Sequence, residues 1–420
     1  FVVPNYDWWE APFYGIGLRV YDLLAGRHGF GKSRHISKEA TIERIPTIET
    51  EGLRGGVIYY DGQFDDARLA INLAQTAADH GAALLNYARV VKFRKSGELI
   101  DGAVLHDVEG GNEFAVQARV VVNATGVFTD SVRRLDDADA PPMVSPSQGI
   151  HFVLDRSFLP GDTAIMVPQT DDGRVLFAIP WHDRVVLGTT DTPVAEAVLE
   201  PRPLQEELDY LFKHAASYLS KDPGPEDVLS VFAGLRPLVK AGNGINTAAL
   251  SRDHTIVVSP SGLVTVTGGK WTTYRKMAED GVDQAAMVGQ LPERECVTKR
   301  LRIHGAHDNG AELGVLADYG SDAIHMQQLA EGDASRLAPL HPNLRITPAH
   351  VAWAAREEMA RTVEDVLARR TRCLILDARA SMEIAPRVAE LLAAELGRDA
   401  AWAAGQAAEY RQLAAQYLLN

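Results

Sequence analysis

The chain has 420 residues, with 42 Lys and Arg against 56 Asp and Glu, a formal net charge of -14, and 46% hydrophobic and 23% charged residues. That length allows two or three domains with cores of their own, and the acidic balance excludes a general nucleic-acid surface while leaving room for a local basic pocket around an anionic substrate. Cys296 and Cys373 lie far apart, so neither a disulfide framework nor a metal site is expected, and no run approaches the roughly 18 apolar residues of a spanning helix.

The chain opens on an aromatic-rich stretch from Trp8 to Gly26 that ends with helical spacing. Trp8, Trp9, Phe13 and Tyr14 could rest at a membrane interface, but a packed core helix is the favoured expectation, because the segment lacks the Lys/Arg-rich polar face that interfacial anchors use. Gly29-Phe30-Gly31-Lys32-Ser33 has the wrong spacing for a phosphate loop and no strand before it. Gly55 to Gln63 predicts a strand and turn, after which Asp65-Asp66-Ala67-Arg68 opens a helix. Leu69, Leu73, Ala77 and Ala78 give that helix an apolar side and Gly81 a stop. A strand is predicted from Leu84 to Phe93, then a hairpin joining Ala103-Val104-Leu105 to Phe114-Ala115-Val116. Arg119 to Gly126 is a short, mostly apolar run of the kind found in buried parallel strands, and its Ala124-Thr125-Gly126 end lets a ligand approach the backbone. Arg133 to Asp139 reads as a solvated helix end.

From about Ser147 to Arg236 strand signals dominate, in runs 149–154, 163–167, 174–180 and 184–190, with turns at Asp171-Asp172-Gly173 and His182-Asp183 and one helix from Leu204 to Ser220. An antiparallel sheet is the expected arrangement, with Asp191-Thr192-Pro193 and Gly234-Leu235-Arg236-Pro237-Leu238 as polar punctuation beside it. Leu263 to Thr267 predicts a buried strand that breaks at Gly268-Gly269 and restarts as a helix near Lys276. Such a turn points backbone N–H groups and a helix N-terminus at whatever it holds, which suits an electron-rich cofactor edge. Beyond Arg302 the pattern is Ala-rich and helical, over Ala349 to Ala368, Ser381 to Leu396 and Ala400 to Leu418, with Cys373 in its core. Arg356, Arg361, Arg369, Arg370 and Arg372 interleave with Glu357, Glu358, Glu364 and Asp365 as a salt-bridged face.

Four stretches in order carry a resemblance: Gly56-Val57-Ile58-Tyr59-Tyr60-Asp61-Gly62-Gln63-Phe64-Asp65-Asp66-Ala67-Arg68-Leu69; Val122-Asn123-Ala124-Thr125-Gly126; Ile179-Pro180-Trp181 with Gly188-Thr189-Thr190-Asp191; and Gly234-Leu235-Arg236-Pro237 with Gly268-Gly269-Lys270-Trp271-Thr272-Thr273-Tyr274-Arg275. Together they resemble the FAD-dependent glycerol-3-phosphate dehydrogenase family over essentially the whole chain, most weakly in the C-terminal helices. The resemblance implies an α/β fold of the glutathione-reductase-like FAD class lacking its first βαβ unit, with an antiparallel-sheet substrate domain and a C-terminal helical domain. The implied layout is residues 1–60 and 128–239 for the substrate domain, 61–127 and 240–302 for the FAD domain, and 303–420 for the helices.

The resemblance also implies oxidation of sn-glycerol 3-phosphate to dihydroxyacetone phosphate, a hydride passing from C2 to flavin N5 and electrons then to quinone or O2. Arg236 and Lys270 match substrate-binding cations; His151 matches an active-site histidine and is a candidate base, with a satisfied core histidine as the alternative. Thr190 is a candidate hydroxyl contact or a turn cap. Gly268, Gly269, Thr272 and Thr273 would meet the flavin pyrimidine edge, Ala124, Thr125 and Gly126 the ribityl and pyrophosphate region, and Val90 the adenine through its backbone. A cytoplasmic protein, peripheral on the inner face of the cytoplasmic membrane, is implied, with a homodimer left open.

The family's opening strand, G-x-G-x-x-G turn and helix, and the segment supplying another substrate arginine, are not found in these residues, which start at Phe1. The expectation is that an N-terminal part lies outside this chain, and that the chain alone binds FAD poorly and has little dehydrogenase activity. Two other readings stay open: an amine or amino-acid oxidase of the same flavin fold, and a non-catalytic remnant that binds a phosphorylated ligand or a protein partner.

Overall fold

The computed structural model describes residues 1–170, 173–239 and 254–419, so Asp171 and Asp172 of the expected turn lie outside the described residues, as do residues 240–253. A nine-stranded sheet dominates, in the order Thr192–Pro193, Val144–Asp155, Arg184–Gly188, Leu176–Trp181, Ile165–Val167, Val2–Asn5, Gly55–Ile58, Arg34–Ser37, with Val228–Val239 also paired to Val144–Asp155. All its pairings are antiparallel except that of Val2–Asn5 with Ile165–Val167. The Gly234 to Leu238 segment, expected as punctuation, lies inside a long strand, its residues paired one to one with Ser145 to Gly149.

Alternation along Val144–Asp155 sorts its side chains by face. Ile150, Phe152 and Leu154 are fully buried in a core shared with Val185, Leu187, Val231 and the inner side of helix Gln205–Tyr218, notably Leu211 and Ala215. Ser147, Gly149 and His151 therefore share the opposite face, and the register sets them directly against Arg236, Gly234 and Phe232.

Two smaller sheets lie beside it. Val121–Asn123 runs parallel to Leu263–Gly268, which pairs antiparallel with His254–Val258. Ala88–Ser96, Leu99–Asp107 and Glu113–Gln117 form an antiparallel meander in which Leu105 faces Phe114, as the hairpin predicts. The first of these strands begins at Ala88 and not at Leu84; the loop before it reaches out instead, Asn86 Nδ2 donating to Met359 O at 2.7 Å and the Tyr87 hydroxyl to Asp365 Oδ2 at 2.7 Å. The charged segment after Arg133 is not simply solvated, since Asp136 accepts from Ser259 Oγ at 2.9 Å and Ser261 Oγ at 2.6 Å.

Helix Asp66–Asp79 is capped by Asp65, whose carboxylate accepts from Arg68 N at 2.9 Å. Its buried residues are Arg68, Asn72 and Thr76, not the expected apolar Leu69 and Leu73. The cause lies in the C-terminal domain: Arg68 reaches across to Glu358 in a short ion pair and to Arg370 O at 2.9 Å. The helix expected over 349–368 accordingly breaks. Pro348–Glu357 ends where Glu358 turns to Arg68 and Met359 takes a positive φ of 57°, and a separate turn, Asp365–Arg370, follows. Helices Ala378–Leu396 and Ala400–Ala414 close a core of Val351, Val366, Leu374, Val388, Leu392 and Tyr410, with Cys373 buried in it. The arginines of this region pair partly outside it, Arg372 with Asp65, Arg361 with Glu109 and Arg356 with Glu395, so they fasten segments together as well as each other.

Candidate active site

The face carrying Ser147, Gly149 and His151 is where two of the candidate residues, His151 and Arg236, meet. The His151 ring stacks on Phe232 at 5.0 Å between centroids, and on its other side lies Gly188, where a Cβ would come 2.2 Å from the imidazole. Arg236 lies across Gly149, where a Cβ would come 2.5 Å from its Nη2 and 2.7 Å from Thr189 Oγ1. Only glycine fits beneath that guanidinium. The guanidinium donates to Asp191 Oδ1 at 3.3 Å and to Thr189 Oγ1 at 3.1 Å.

His151 Nδ1 is buried without a hydrogen-bond partner among the described residues. Its imidazole is pushed down to about 4, first by burial and then by the neighbouring Arg236 charge, and is neutral at pH 7. His350, buried in the helical domain with Nδ1 2.8 Å from Thr347 Oγ1, is also pushed down to about 4, by burial and then by Arg68. Both histidines fold neutral and take up a proton more readily when unfolded, so stability rises with pH between about 4 and the ordinary value of 6.5. The expected result is a loss of a few kcal/mol on acidification through that window, read from urea midpoints and largely absent in the His151→Asn/His350→Asn double variant. A midpoint that stays flat from pH 6.5 to 4.5 in the unmodified chain would contradict it.

Of the two readings of Thr190, a hydroxyl contact or a structural cap, its geometry fits the structural one. It is completely buried on the opposite side, its hydroxyl donating to Glu207 Oε1 at 2.8 Å and accepting from Ile150 N at 3.0 Å. Strand alternation ends at Gly188, so the hydroxyl on the site face is that of Thr189, one residue earlier. Sequence reasoning passed over Thr189 and Asp191, although both stand in the Gly188-Thr189-Thr190-Asp191 stretch.

The two turns expected to meet the cofactor follow the carboxyl ends of the paired parallel strands Val121–Asn123 and Leu263–Gly268, the end of an α/β sheet where ligands collect. Gly268 and Gly269 both have φ of 74°, and a Cβ on Gly269 would come 2.4 Å from Met277 Sδ, so the turn needs glycine for its conformation and for its packing. Lys270, Thr272 and Thr273 are exposed; Thr273 Oγ1 accepts from Lys270 N at 3.2 Å and donates to its carbonyl at 2.9 Å. Ala124 and Thr125 are exposed beside Gly126, and Thr129 ties that turn to its neighbour, its hydroxyl donating to Gly126 O at 2.7 Å and lying 3.3 Å from Thr267 Oγ1. The strand bearing Arg236 touches both Gly126–Phe128 and Leu263–Gly268. Val90 sits on an edge strand whose other neighbour is Leu105's strand, which leaves one backbone edge unpaired among the described residues.

These features fit a flavin ring. Two exposed backbone turns end side by side, the Arg236 strand runs past them, and Gly234 presents no side chain, with open space where its Cβ would be. Trp271 adds a buried Nε1 without a partner among the described residues, beside Phe64.

Comparison with known proteins places the chain in the class of flavin-dependent oxidoreductases: residues 14–275 match the model of the FAD dependent oxidoreductase family and residues 296–403 that of the C-terminal domain of alpha-glycerophosphate oxidase. The chain is 40% identical to the mitochondrial glycerol-3-phosphate dehydrogenase of Arabidopsis thaliana over 94% of its own length and 68% of the relative's. It is 39% identical to the probable mitochondrial glycerol-3-phosphate dehydrogenase of Caenorhabditis elegans, over 95% of its own length and 59% of that protein. Among solved structures, the glycerol-3-phosphate dehydrogenase of Bacillus halodurans complexed with FAD superposes with a TM-score of 0.77 at 29% identity, covering 91% of this chain and 79% of that one. The chain belongs to the FAD-dependent glycerol-3-phosphate dehydrogenase family. It spans about six-tenths of the length of several of these relatives, 59% of the nematode protein and 60% of the rat protein.

Proposed function

We propose that this chain takes part in oxidising sn-glycerol 3-phosphate to dihydroxyacetone phosphate, with FAD as the hydride acceptor. The observation that carries the reading is the placement of Arg236 and His151, a cation and a neutral imidazole, on one glycine-lined face of a strand pair that touches both cofactor turns. When bound, FAD supplies the acceptor for the hydride leaving C2. Arg236 and the exposed Lys270 offer cationic donors to the substrate phosphate. The neutral His151 takes the C2 hydroxyl proton. In the empty site Arg236 disfavours the imidazolium. A phosphate dianion beside Arg236 offsets that charge and raises the imidazole's proton affinity when the proton must be taken. Phe232 and Gly188 close the two faces of the ring and hold it in one plane.

The test is anaerobic addition of sn-glycerol 3-phosphate to the protein reconstituted with FAD in large excess, which offsets the weak flavin binding expected of this chain. Loss of the flavin's visible absorbance is expected, with amines and amino acids leaving it unchanged. Intact absorbance with flavin bound, or bleaching by an amino acid instead, would overturn the reading.

The proposed acceptor is a membrane quinone and not O2, with the protein peripheral on the inner face of the cytoplasmic membrane. No helix among the described residues is long and apolar enough to cross a membrane. Helix Glu10–Ala25, however, buries only Gly15. Tyr14 and Leu18 pack on Val3, Val57 and Tyr59, while the exposure of Phe13, Ile16, Leu23 and Leu24, at 64%, 66%, 80% and 81%, supports the interfacial reading of the aromatic opening stretch. Arg27, His28, Lys32 and Arg34 follow directly, the basic flank that an interfacial helix uses beside anionic headgroups. The protein should float with vesicles containing anionic lipid, and Leu23→Asp/Leu24→Asp should leave it at the bottom of the gradient. Failure of the unmodified chain to float would count against this placement.

A further inference from the structure

Asp191 stands behind Arg236. Its Oδ1 accepts from Arg236 Nη1 at 3.3 Å and, in a short hydrogen bond, from Ser147 Oγ, and Ser147 is fully buried on the strand directly opposite Arg236. Thr189 holds the other arm of the guanidinium, Nη2 donating to its Oγ1 at 3.1 Å, and passes its own proton to Thr190 O at 3.1 Å. The segment bearing both groups is itself fixed from below. Between them, Thr190 donates to Glu207 Oε1 at 2.8 Å, and the other Glu207 oxygen accepts from Gln148 Nε2 at 2.8 Å and Leu204 N at 3.0 Å at the start of helix Gln205–Tyr218. Thr190 and Glu207 are both fully or almost fully buried, so this anchor is held by packing as well as by hydrogen bonds.

Arginine presents its donors in a rigid planar fork, so fixing one edge sets the direction of the rest. Here Gly149 removes the side chain beneath the plane, Thr189 and Asp191 hold one edge, and the remaining N–H groups are left for an anion. Asp191 also faces a cation that lies close to His151, so the carboxylate tempers the Arg236 field at the imidazole.

We infer that Asp191 is a positioning residue for substrate binding, acting through Arg236: it orients the guanidinium across Gly149 toward the substrate phosphate, while Thr190 and Glu207 anchor the segment that carries it. The inference rests on the proposed substrate, so its test has one arm that needs no substrate.

The first arm is a double-mutant cycle on sn-glycerol 3-phosphate binding, measured by calorimetry with FAD-reconstituted protein. Asp191→Asn is isosteric and removes one charge-assisted contact. It should weaken binding about tenfold where Arg236 is present and have no further effect in the Arg236→Ala background. Equal weakening in both backgrounds marks a general structural role and overturns the inference, as does no weakening in either. The second arm follows the His151 imidazole by NMR without ligand. Asp191→Asn should shift its titration to lower pH where Arg236 is present and leave it in place in Arg236→Ala. A titration that Asp191→Asn leaves in place with Arg236 present overturns the inference. Should the unmodified protein bind no glycerol 3-phosphate while the Arg236-dependent shift is seen, the coupling of Asp191 to Arg236 stands and the substrate reading falls.

Discussion

Replacing Arg236 by alanine is expected to lower kcat/KM for sn-glycerol 3-phosphate by about 100- to 1,000-fold, the scale of losing a charge-assisted, partly buried contact to an anion. Three features of the site set that scale. The guanidinium is held at two points, by Asp191 and Thr189, so little of its binding energy is lost to ordering it. It lies across Gly149, where a Cβ would come 2.5 Å from its Nη2, so no side chain at that position displaces it. Its charge acts on His151 as well as on the phosphate, so its removal should also let the imidazole rise above about 4, by the smaller part of the shift because burial is the larger cause, and move the acidic limb of the pH profile upward. Arg236→Lys keeps the charge and loses the fork, and should recover only part of the affinity. Steady-state kinetics of both variants across pH check this. An Arg236→Ala enzyme with unchanged kcat/KM and an unmoved acidic limb would remove Arg236 from the site.

Replacing Glu358 by alanine should cost about 3–5 kcal/mol of stability, because it leaves Arg68 charged and buried with its carboxylate gone. Arg68 and Glu358 are 7% and 5% exposed, and the pair joins helix Asp66–Asp79 to the C-terminal domain. The remaining partners of Arg68, the Arg370 carbonyl at 2.9 Å and the Tyr319 ring 4.3 Å beneath it, do not neutralise the charge. The double variant Arg68→Met/Glu358→Leu removes both charges and should return most of the stability, since the desolvation penalty disappears with the pair. Urea unfolding of the three proteins measures this. A Glu358→Ala midpoint within error of the unmodified chain would show that water reaches the pair. The same helix is preceded by Phe64, which touches Trp271 in the turn after Gly269, so loosening the junction should also weaken flavin retention.

Much of the fold was legible because its signals are local. The break at Gly268-Gly269 between an apolar strand and a helix needs no distant partner to be recognised, and both glycines take the positive φ that a residue with a side chain resists. Hairpin and strand alternation place Leu105 against Phe114 and Ile150, Phe152 and Leu154 in the core for the same reason. Arg236, Lys270 and His151 could be singled out because their stretches resemble a known family in order and spacing, not because anything local marks them.

Other readings failed where a distant segment decides. Helix Asp66–Asp79 carries a visible apolar side, yet its most buried residues are the polar ones, because a buried carboxylate 290 positions away draws Arg68 inward. Glu358 likewise ends a helix whose Ala-rich composition favours continuing, since pairing one buried charge outweighs the propensity of a few residues. Thr190 and Thr189 differ by one position and point to opposite sides once the strand has ended, and only the packed structure says which one meets Arg236.

By itself, then, the sequence determined where most of the turns, strands and inward faces lie, because these depend on spacing along the chain, and motif order proposed Arg236 and Lys270 as the cations of the site. Tertiary structure alone decided that Arg236 is held by Asp191 across Gly149, that His151 is kept neutral, and which side of each helix is covered. Those depend on which groups share a small, poorly solvated space, where one ionised neighbour or one missing Cβ outweighs any local preference.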